Sequence, residues 1–369
     1  MKIMHVISGG ETGGSKNHII SLLKQFNVDD VLLVVMQEGL LSREAKAAGV
    51  PTIVLGQTSR YDLKARKKLK RLAEVQQADV IHSHGARANL YVATIIDRLD
   101  AKWVTTVHSD PIHDFMTDGL KGKLFTKINL WTYSKVDHFF AVSERFKDNL
   151  VELGVSADRI TTILNGIEFD VVDAHTTTRD DLGIADDAFV VTMVARLHPI
   201  KGHHELIEAV KQVVERVLDQ RIELVLVGDG DERPSIEEAV REQGLVDHVH
   251  FLGFRDDIPA LYRLSDVAIL TSHSESFPLA LLEAAREKTP LIATDVGGIR
   301  QLVEDYGWLI EPQSVSAIEK SIMEAVEAKK DGRLEPIGMK QYEHAQASFS
   351  LEQLANQTKE TYMKEVSPS

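Results

Sequence analysis

Two glutamates, Glu275 and Glu283, stand on either side of a proline in the second half of the sequence. Pro278 is predicted to be the first residue of a helix, because its ring fixes φ and its missing N–H is no loss there. Backbone amides at a helix start can donate to a phosphate, with the positive end of the helix dipole behind them. The amides concerned are those near Phe277, Leu279 and Ala280. The two carboxylates flank that position and can accept hydrogen bonds from a sugar and a ribose, so the segment predicts a nucleotide-sugar site.

Two cations, Arg196 and Lys201, follow the first strand predicted in the second half. A guanidinium and an ammonium at this spacing suit a diphosphate, whose oxygens are negatively charged. The alternative is that both are solvated loop charges. The next strand ends at Gly228, where a glycine lets a ligand or another stretch of backbone approach closely.

An imidazole and a carboxylate, His108 and Asp110, follow a predicted strand in the first half. Catalytic groups of parallel sheets lie at the carboxyl ends of the strands, so this position favours function over a purely structural histidine. His82 and His84 share one face of the preceding strand. Further neighbouring pairs are His203 with His204 and His248 with His250. Because none has a carboxylate partner that completes a metal site, we predict structural or surface histidines and no metal, with His84 the one most worth testing.

A glycine-rich segment from Ser8 to Asn17 lies between the first predicted strand and the apolar helix Ile19 to Leu23. It is not a dinucleotide fingerprint. It is not a Walker A loop either, because Ser15 precedes Lys16 where Lys must precede Ser or Thr. A flexible turn with glycines at positive φ and an anion-binding turn both remain open.

Length and composition indicate two soluble domains, since 369 residues exceed one ordinary core and 43% of them are hydrophobic against 27% charged. No apolar run approaches the roughly 20 residues of a membrane span, and the first strand is too short for a signal peptide, so we expect a cytoplasmic protein. The absence of cysteine excludes disulfides and thiolate chemistry. A net charge of −14 argues against nucleic-acid binding, although residues 1–165 hold 22 Lys and Arg against 18 Asp and Glu.

Short β-branched runs alternate with helical patterns along the chain, which predicts parallel sheets in an α/β fold. The first series is Lys2–Ile7, Val31–Met36, Thr52–Leu55, Asp79–Ile81, Trp103–Val107, His138–Val142 and Ile160–Leu164. The second is Phe189–Val194, Glu223–Val227, His250–Leu252, Val267–Leu270 and Leu291–Ala293. Turn residues between the two series place a hinge near Asn165 to Thr178. The predicted domains are residues 1–170, 171–345 and a terminal helical segment, 346–369.

At these motifs the sequence resembles the retaining family-4 glycosyltransferases, over nearly the whole chain. The motifs are Glu275 with Glu283, Arg196 to Gly202, Val227 to Gly230, Asn165-Gly166 and Ala293 to Gly298. The resemblance implies the GT-B fold, in which two Rossmann-like domains face each other and the C-terminal helix crosses back to the first. Ser276, Lys288-Thr289 and Arg300-Gln301 depart from the usual family pattern. These departures leave the class intact but obscure the donor.

The resemblance also implies roles for individual residues. Arg196 and Lys201 would hold the donor diphosphate. Glu283 would bind the ribose hydroxyls, and Glu275 the transferred sugar. From the first domain, Gly14 and His108 would approach the sugar and the acceptor. Phe254 and Arg255 would line the base.

The implied reaction is sugar transfer with retention of configuration and without a metal or other cofactor. The donor expected is a UDP-linked sugar, and the acceptor a hydroxyl of a glycan or lipid-linked molecule in cell-envelope, polysaccharide or glycolipid synthesis. The alternatives are a nucleotide-sugar 2-epimerase of the same fold and a non-catalytic nucleotide-sugar binding protein.

A basic helix, Asp62 to Leu72, lies in the more basic first domain. The segment Leu120 to Tyr133 adds Lys121, Lys123, Phe125, Lys127 and Trp131. Such a surface suits contact with anionic lipid, and the alternative is an ordinary solvated helix face. The expected location is therefore cytoplasmic, with peripheral contact at the inner face of the membrane.

Overall fold

The computed structural model describes residues 1–10, 13–59, 62–108, 127–171 and 174–367. The chain divides into two compact units, one made of Met1–Gly166 with Leu351–Ser369 and the other of Ile167–Ser350. Each unit is a parallel sheet with helices packed against it, as predicted for the α/β class. Both Asp110 and the first part of the predicted Leu120 to Tyr133 surface, including Lys121, Lys123 and Phe125, lie outside the described residues.

The first unit is built on a seven-stranded parallel sheet in the order β3-β2-β1-β4-β5-β6-β7. Its strands are β1 (Ile3–Ile7), β2 (Val31–Val35), β3 (Thr52–Val54), β4 (Val80–His84), β5 (Lys102–Val107), β6 (His138–Ala141) and β7 (Ile160–Thr162). All seven were predicted. The apolar run Asp79–Ile81 marks only the first part of β4, and the strand continues through His82 and His84, which share one of its faces as expected, pair in register with β1 and are buried.

Helices cover both faces of this sheet. They are α1 (Gly13–Leu23), α2 (Leu40–Ala47), α3 (Leu63–Gln76), α4 (Gly85–Ala93) and α5 (Glu144–Glu152). Because α1 begins at Gly13, the prediction of a loop as far as Asn17 was wrong. Glycine is tolerated in a first helical turn, where the amides have no intrahelical partner in any case. The preceding turn does hold a glycine at positive φ, since Gly9 has φ +103° and a Cβ there would lie 2.2 Å from the Gln37 carbonyl oxygen.

The second unit contains a six-stranded parallel sheet in the order β10-β9-β8-β11-β12-β13. Its strands are β8 (Phe189–Val194), β9 (Ile222–Val227), β10 (Val249–Gly253), β11 (Val267–Leu270), β12 (Leu291–Thr294) and β13 (Trp308–Ile310). The sequence predicted the first five. It missed β13, which has only three residues and lies at the sheet edge, too short for a recognisable alternation.

The helices of the second unit run between and after these strands. They are α6 (His203–Arg216), α7 (Arg233–Glu242), α8 (Ile258–Arg263), α9 (Leu279–Arg286), α10 (Ile299–Val303), α11 (Val315–Lys330) and α12 (Leu334–Phe349). The last helix of the chain, α13 (Leu351–Val366), belongs instead to the first unit. Its Leu354 and Tyr362 are buried in the same core as Ile3 and Ile7 of β1. This confirms the prediction that the terminal helix packs on the first domain. No helix among the described residues is both long enough and apolar enough to span a bilayer.

Candidate functional site

Lys201 and Glu275 form an ion pair in the second unit, after the ends of β8 and β11. Lys201 Nζ donates to Glu275 Oε1, and the Ser272 hydroxyl donates to the same oxygen at 2.7 Å. The two charged side chains are 20% and 12% exposed, so the pair is partly shielded from water yet open on one side. The structure thus brings together two of the residues predicted from sequence for diphosphate and sugar binding.

The loop that carries Lys201 is fastened to the loop that carries Glu275 by backbone contacts. Gly202 has φ +70°, and a Cβ there would lie 2.2 Å from the Thr271 carbonyl oxygen. The Thr271 hydroxyl donates to the Lys201 carbonyl oxygen at 3.0 Å, and the His273 amide donates to the Ile200 carbonyl oxygen at 2.8 Å. Only a glycine at 202 permits this approach, which brings the lysine to the glutamate.

A second glycine contact positions the Glu275 loop from another side. Gly297 has φ +59°, and a Cβ there would lie 2.3 Å from the Glu275 carbonyl oxygen. The Gly298 amide donates to the Ser276 carbonyl oxygen at 2.9 Å. The segment Ala293 to Gly298 therefore supports the main chain on which Glu275 is held.

Arg196 is exposed and makes no hydrogen bond or ion pair with any residue that the structure describes. Its main chain is packed closely, however. Gly228 has φ +132°, and a Cβ there would lie 2.1 Å from the carbonyl oxygen of Ala195. The structure therefore gives Gly228 a role in backbone packing beside the predicted approach of a ligand. A side chain at 228 cannot be accommodated without displacing the segment that carries Arg196.

Helix α9 begins one residue later than predicted, because Pro278 is its N-cap, with φ −78° and ψ 121°, and not its first helical residue. The chain is thus still extended at Pro278, and the preceding Phe277 ring is buried against Phe349, with ring centroids 5.0 Å apart. No side chain caps the helix start. The first-turn amides of Leu279 and Ala280 are therefore without a capping acceptor, which suits an anion.

Glu283 lies in the second turn of α9 and is largely buried. Burial raises the pKa of this carboxyl, and the nearby Arg286 charge opposes the rise. Its carboxylate accepts no hydrogen bond from the described residues. A partly buried carboxylate without a hydrogen-bond partner is unusual, because burial of an unpaired charge is costly. The group is therefore a free acceptor for a ligand hydroxyl.

Phe254 and Arg255, predicted from the resemblance to line a base, differ in their surroundings. The Phe254 side chain is 87% exposed. Arg255 forms a forked pair with Asp257, at 2.7 and 2.5 Å, and this guanidinium holds the pKa of the Asp257 carboxyl below its usual range. The Arg255 side chain thus stabilises its own loop through Asp257, whereas the exposed Phe254 ring is accessible to a ligand.

In the first unit, His108 lies just after β5, and Gly14 lies in the first turn of α1. His108 Nε2 is 3.1 Å from His84 Nδ1. Burial, with a smaller contribution from the charge of His18, lowers the pKa of His108 to about 3. The imidazole is therefore neutral near pH 7, and its other nitrogen, Nδ1, makes no hydrogen bond with the described residues.

Behind His108 lies a buried group of histidines, of which the sequence identified only part. His82 and His84 were predicted to be either structural or surface histidines, and the structure shows that they are not surface residues. They occupy alternate positions of β4, so both side chains point into the core below α13. His5 of β1 was missed. Its signal was a polar residue on the buried face of β1, between Ile3 and Ile7. Nitrogen atoms of His5, His82 and His84 lie within 4.8 Å of one another, close enough to be considered as metal ligands.

The other histidine pairs have local roles. His203 is buried, and burial lowers its pKa to about 4, whereas His204 is exposed. His250 Nε2 lies 3.0 Å from Glu223, and His248 Nδ1 lies 2.8 Å from the Ile222 carbonyl oxygen. These contacts join β9 to β10 and its preceding turn.

Two family models match the chain. Residues 12–171 match the model described as Glycosyltransferase Family 4, and residues 175–339 match Glycosyl transferases group 1. The chain is similar to the UDP-Gal:alpha-D-GlcNAc-diphosphoundecaprenol alpha-1,3-galactosyltransferase of Escherichia coli, with 26% identity over 89% of this chain and 87% of that protein. It is 27% identical to the N-acetyl-alpha-D-glucosaminyl L-malate synthase of Bacillus anthracis, over 82% of this chain and 79% of the other.

Among solved structures, HepE of Anabaena in complex with UDP has a similar fold, with a TM-score of 0.83 at 24% identity, covering 99% of this chain and 100% of that one. Its complex with UDP-glucose gives a TM-score of 0.80 at 23% identity with the same coverage. At this identity the likeness concerns the fold alone.

Proposed function

The chain is a family-4 glycosyltransferase with the GT-B fold, and from that membership we propose that it transfers a sugar from a UDP-sugar to an acceptor hydroxyl, with retention of configuration and without a metal ion. The observation that carries this proposal is the ion pair of Lys201, on the loop after β8, with Glu275, which with Ser272 lies on the loop that leads into the uncapped start of α9. The two adjacent loops together offer a cation, a sugar-hydroxyl acceptor and free amides.

In the proposed reaction the protein acts mainly by electrostatic stabilisation of the leaving group. Charge develops on the diphosphate as its bond to the sugar breaks, and donors already aimed at that position lower the barrier. The donors are Arg196, Lys201 and the amides of Leu279 and Ala280. Glu283, a partly buried acceptor without a hydrogen-bond partner among the described residues, would take the ribose hydroxyls.

The hydrogen bonds of Glu275 support the proposal that retention occurs without an enzyme nucleophile. Its Oε1 already accepts from Lys201 and Ser272, and such hydrogen bonds make a carboxylate oxygen a poorer nucleophile. We infer that Glu275 binds hydroxyls of the transferred sugar. The acceptor hydroxyl would attack the face from which the diphosphate departs, and a diphosphate oxygen would take its proton. His108 is proposed to contact a hydroxyl of the sugar.

The identity of donor and acceptor is drawn from the relatives. The E. coli relative is named for UDP-galactose and a diphosphoundecaprenol acceptor, and HepE was solved with UDP and with UDP-glucose. These names support a UDP-hexose donor and a glycan or lipid-linked acceptor, in the synthesis of cell-envelope polysaccharide or glycolipid.

The proposal can be tested with a panel of UDP-, GDP- and ADP-sugars in EDTA. We expect a UDP-sugar, but no GDP- or ADP-sugar, to raise the melting temperature of the protein, since a ligand that binds the folded state stabilises it. With simple glycosides or a polyprenyl-diphosphate sugar as acceptor, UDP should be released, and the product should keep the donor's anomeric configuration by proton NMR. An inverted product, or activity only after a divalent ion is added, would refute the mechanism. An epimer formed from the donor alone would instead reveal an epimerase.

We further propose that α3 contacts an anionic membrane surface, which would bring the enzyme to a lipid-linked acceptor. Lys64, Lys67 and Arg71 recur on one exposed face of this helix and make no ion pair with the described residues, and Val75 on the same face is 67% exposed. A basic face with an exposed apolar residue suits the headgroup region of anionic lipid.

Charge reversal of this face tests the membrane proposal. The triple variant Lys64→Glu, Lys67→Glu, Arg71→Glu is expected to lose flotation with phosphatidylglycerol vesicles while keeping its melting temperature, because all three side chains are exposed. Lys320→Glu, at a side chain 78% exposed in the second unit, is the matched control and should still float. Flotation of the wild type that is equal on phosphatidylcholine would exclude an electrostatic membrane contact.

A further inference from the structure

A continuous chain of hydrogen-bonded side chains runs through the first unit from α13 to His108. The Tyr362 hydroxyl lies 3.4 Å from His5 Nε2, and His5 Nδ1 lies 3.0 Å from His84 Nε2. His84 Nδ1 then meets His108 Nε2 at 3.1 Å. On its other side the Tyr362 hydroxyl bonds His82 Nδ1, and His82 Nε2 lies 2.7 Å from Thr106 Oγ1. His108 is thus connected to the terminal helix through neighbouring rings.

The sheet order creates this chain. Strands β1, β4 and β5 are adjacent, and register pairs His5 with His82 and His84 with Thr106. Residues at alternate positions of a strand share a face, so the imidazoles stack below α13. The rings of His82 and His84 lie with centroids 4.3 Å apart. Tyr362 is fully buried, and its hydroxyl therefore has no access to solvent as an alternative partner.

The rings are neutral, so each carries one N–H and one lone pair. Burial lowers the pKa of His5 to about 3 and the pKa of His82 and His84 well below the usual value. A chain of neutral imidazoles can then be polarised in two ways. Either every ring has its proton on Nδ1 or every ring has it on Nε2, because each bond needs one donor and one acceptor.

The Thr106 hydroxyl selects between the two arrangements. His82 Nε2 is its hydrogen-bond partner among the described residues, and Thr106 is only 6% exposed. If His82 donated from Nε2, the buried hydroxyl hydrogen would be left without an acceptor, which is unfavourable. If Thr106 donates, the sequence of donors runs from Thr106 through His82, Tyr362, His5 and His84 to His108. His108 then accepts a hydrogen bond at Nε2 and carries its single proton on Nδ1.

We propose that Tyr362, His5 and His84 are positioning residues that hold His108 in the Nδ1–H tautomer, so that it presents a hydrogen-bond donor to a sugar hydroxyl oxygen. The part of this inference that concerns the sugar rests on the proposed function. All six ring nitrogens of His5, His82 and His84 are used within the chain. A metal ion would have to displace these hydrogen bonds. We therefore favour a hydrogen-bond relay over a metal site, and we use this name for the series Thr106, His82, Tyr362, His5, His84 and His108.

The tautomer is measured directly, without substrate, on protein labelled with nitrogen-15 histidine. Long-range proton–nitrogen correlation distinguishes Nδ1–H from Nε2–H rings, and single His→Gln variants assign the signals. We expect wild-type His108 to be the Nδ1–H form. The Tyr362→Phe variant keeps the buried ring but interrupts the hydrogen-bond relay, so His108 should become a mixture of the Nδ1–H and Nε2–H tautomers. Thr106→Val, a near-isosteric change at the far end, should have the same effect and serves if Tyr362→Phe does not fold.

Tyr91→Phe is the matched control, since Tyr91 is also buried in the first unit and its hydroxyl bonds Gln57 and the Asp62 amide at 2.6 and 2.8 Å, outside the chain. It should leave the His108 tautomer unchanged. In transfer assays Tyr362→Phe should lower kcat about tenfold, the equivalent of one hydrogen bond, with the donor KM within about twofold. A wild-type Nε2–H ring, or a tautomer that neither variant alters, would overturn the inference.

Two other outcomes would distinguish this inference from a metal site and from the proposed function. A stoichiometric divalent metal in the purified protein, whose removal by chelator shifts the signals of His5, His82 and His84, would replace the relay with a metal site. A tautomer change in the two variants without transfer from any sugar nucleotide would support the relay and refute the proposed function.

Discussion

Replacement of Lys201 by alanine is expected to lower kcat by about 100-fold or more, with a smaller change in the donor KM. The ammonium is only 20% exposed and is held by Glu275, so it is fixed in place before the reaction. A preorganised charge contributes most when the diphosphate gains charge in the transition state. The Glu275 carboxylate keeps its hydrogen bond from Ser272 in this variant, so the loop itself should persist.

Steady-state kinetics with the donor identified by the panel provides the measurement. Lys211→Ala is the matched control, because Lys211 is in the same unit but is 33% exposed and paired with Glu215 on the helix surface. Its kcat should stay within about twofold of the wild type, since exposed ion pairs contribute little. A Lys201→Ala enzyme with turnover near the wild-type value at saturating donor would remove Lys201 from the catalytic group.

Mild acid is expected to unfold the first unit before the second. Six histidines of the first unit have pKa values lowered by burial: His5, His18, His82, His84, His108 and, against the opposing charge of Glu365, His138. Their pKa is near 6.5 in the unfolded chain, so below pH 6.5 the unfolded state binds protons that the folded state does not, and stability falls as the pH falls. At pH 5.5 each ring whose folded pKa lies well below that pH costs about 1 kcal/mol, so the group together costs several kcal/mol, which is a large part of the stability of a whole domain.

Tryptophan fluorescence can follow the units separately, because Trp103 and Trp131 are in the first unit and Trp308 is in the second. Urea unfolding of a Trp131→Phe, Trp308→Phe variant at pH 7.5 to 5 reports the first unit through the buried Trp103. A variant that keeps only Trp308 reports the second. His18→Gln should reduce the pH dependence by about one proton, since His18 Nδ1 is buried without a partner and is not part of the relay. Equal pH dependence of the two units would contradict the prediction.

The sequence was sufficient to predict twelve of the thirteen strands, because β-branched runs are local signals. It could not predict that Lys201 pairs with Glu275, since they are separated by 74 residues and are brought together only when β8 and β11 become neighbours. The same limit hid the relay. His5 and His84 are 79 residues apart and meet because β1 pairs with β4, which is not its neighbour in sequence.

Glycines show a different limit of sequence reasoning. At Gly228 the sequence left open the approach of a ligand or of another stretch of backbone, and the atom that a Cβ would meet is the Ala195 carbonyl oxygen. A glycine that admits a ligand and a glycine that admits another strand's backbone look the same in one sequence. Only the packing of the loop after β9 on the loop after β8 distinguishes them. The loss of a donor site in a Gly228 variant would thus be indirect, through Arg196.

The assignment of α13 to the first unit has a consequence for how the protein is made. Every element of the second unit leaves the ribosome before α13 does, so the second unit can finish folding while the first is still incomplete. Until then the face of β1 and β4 that α13 covers lacks Tyr362, and His5 and His82 lack their hydroxyl partner. The half of the enzyme that is translated first is therefore the half that matures last.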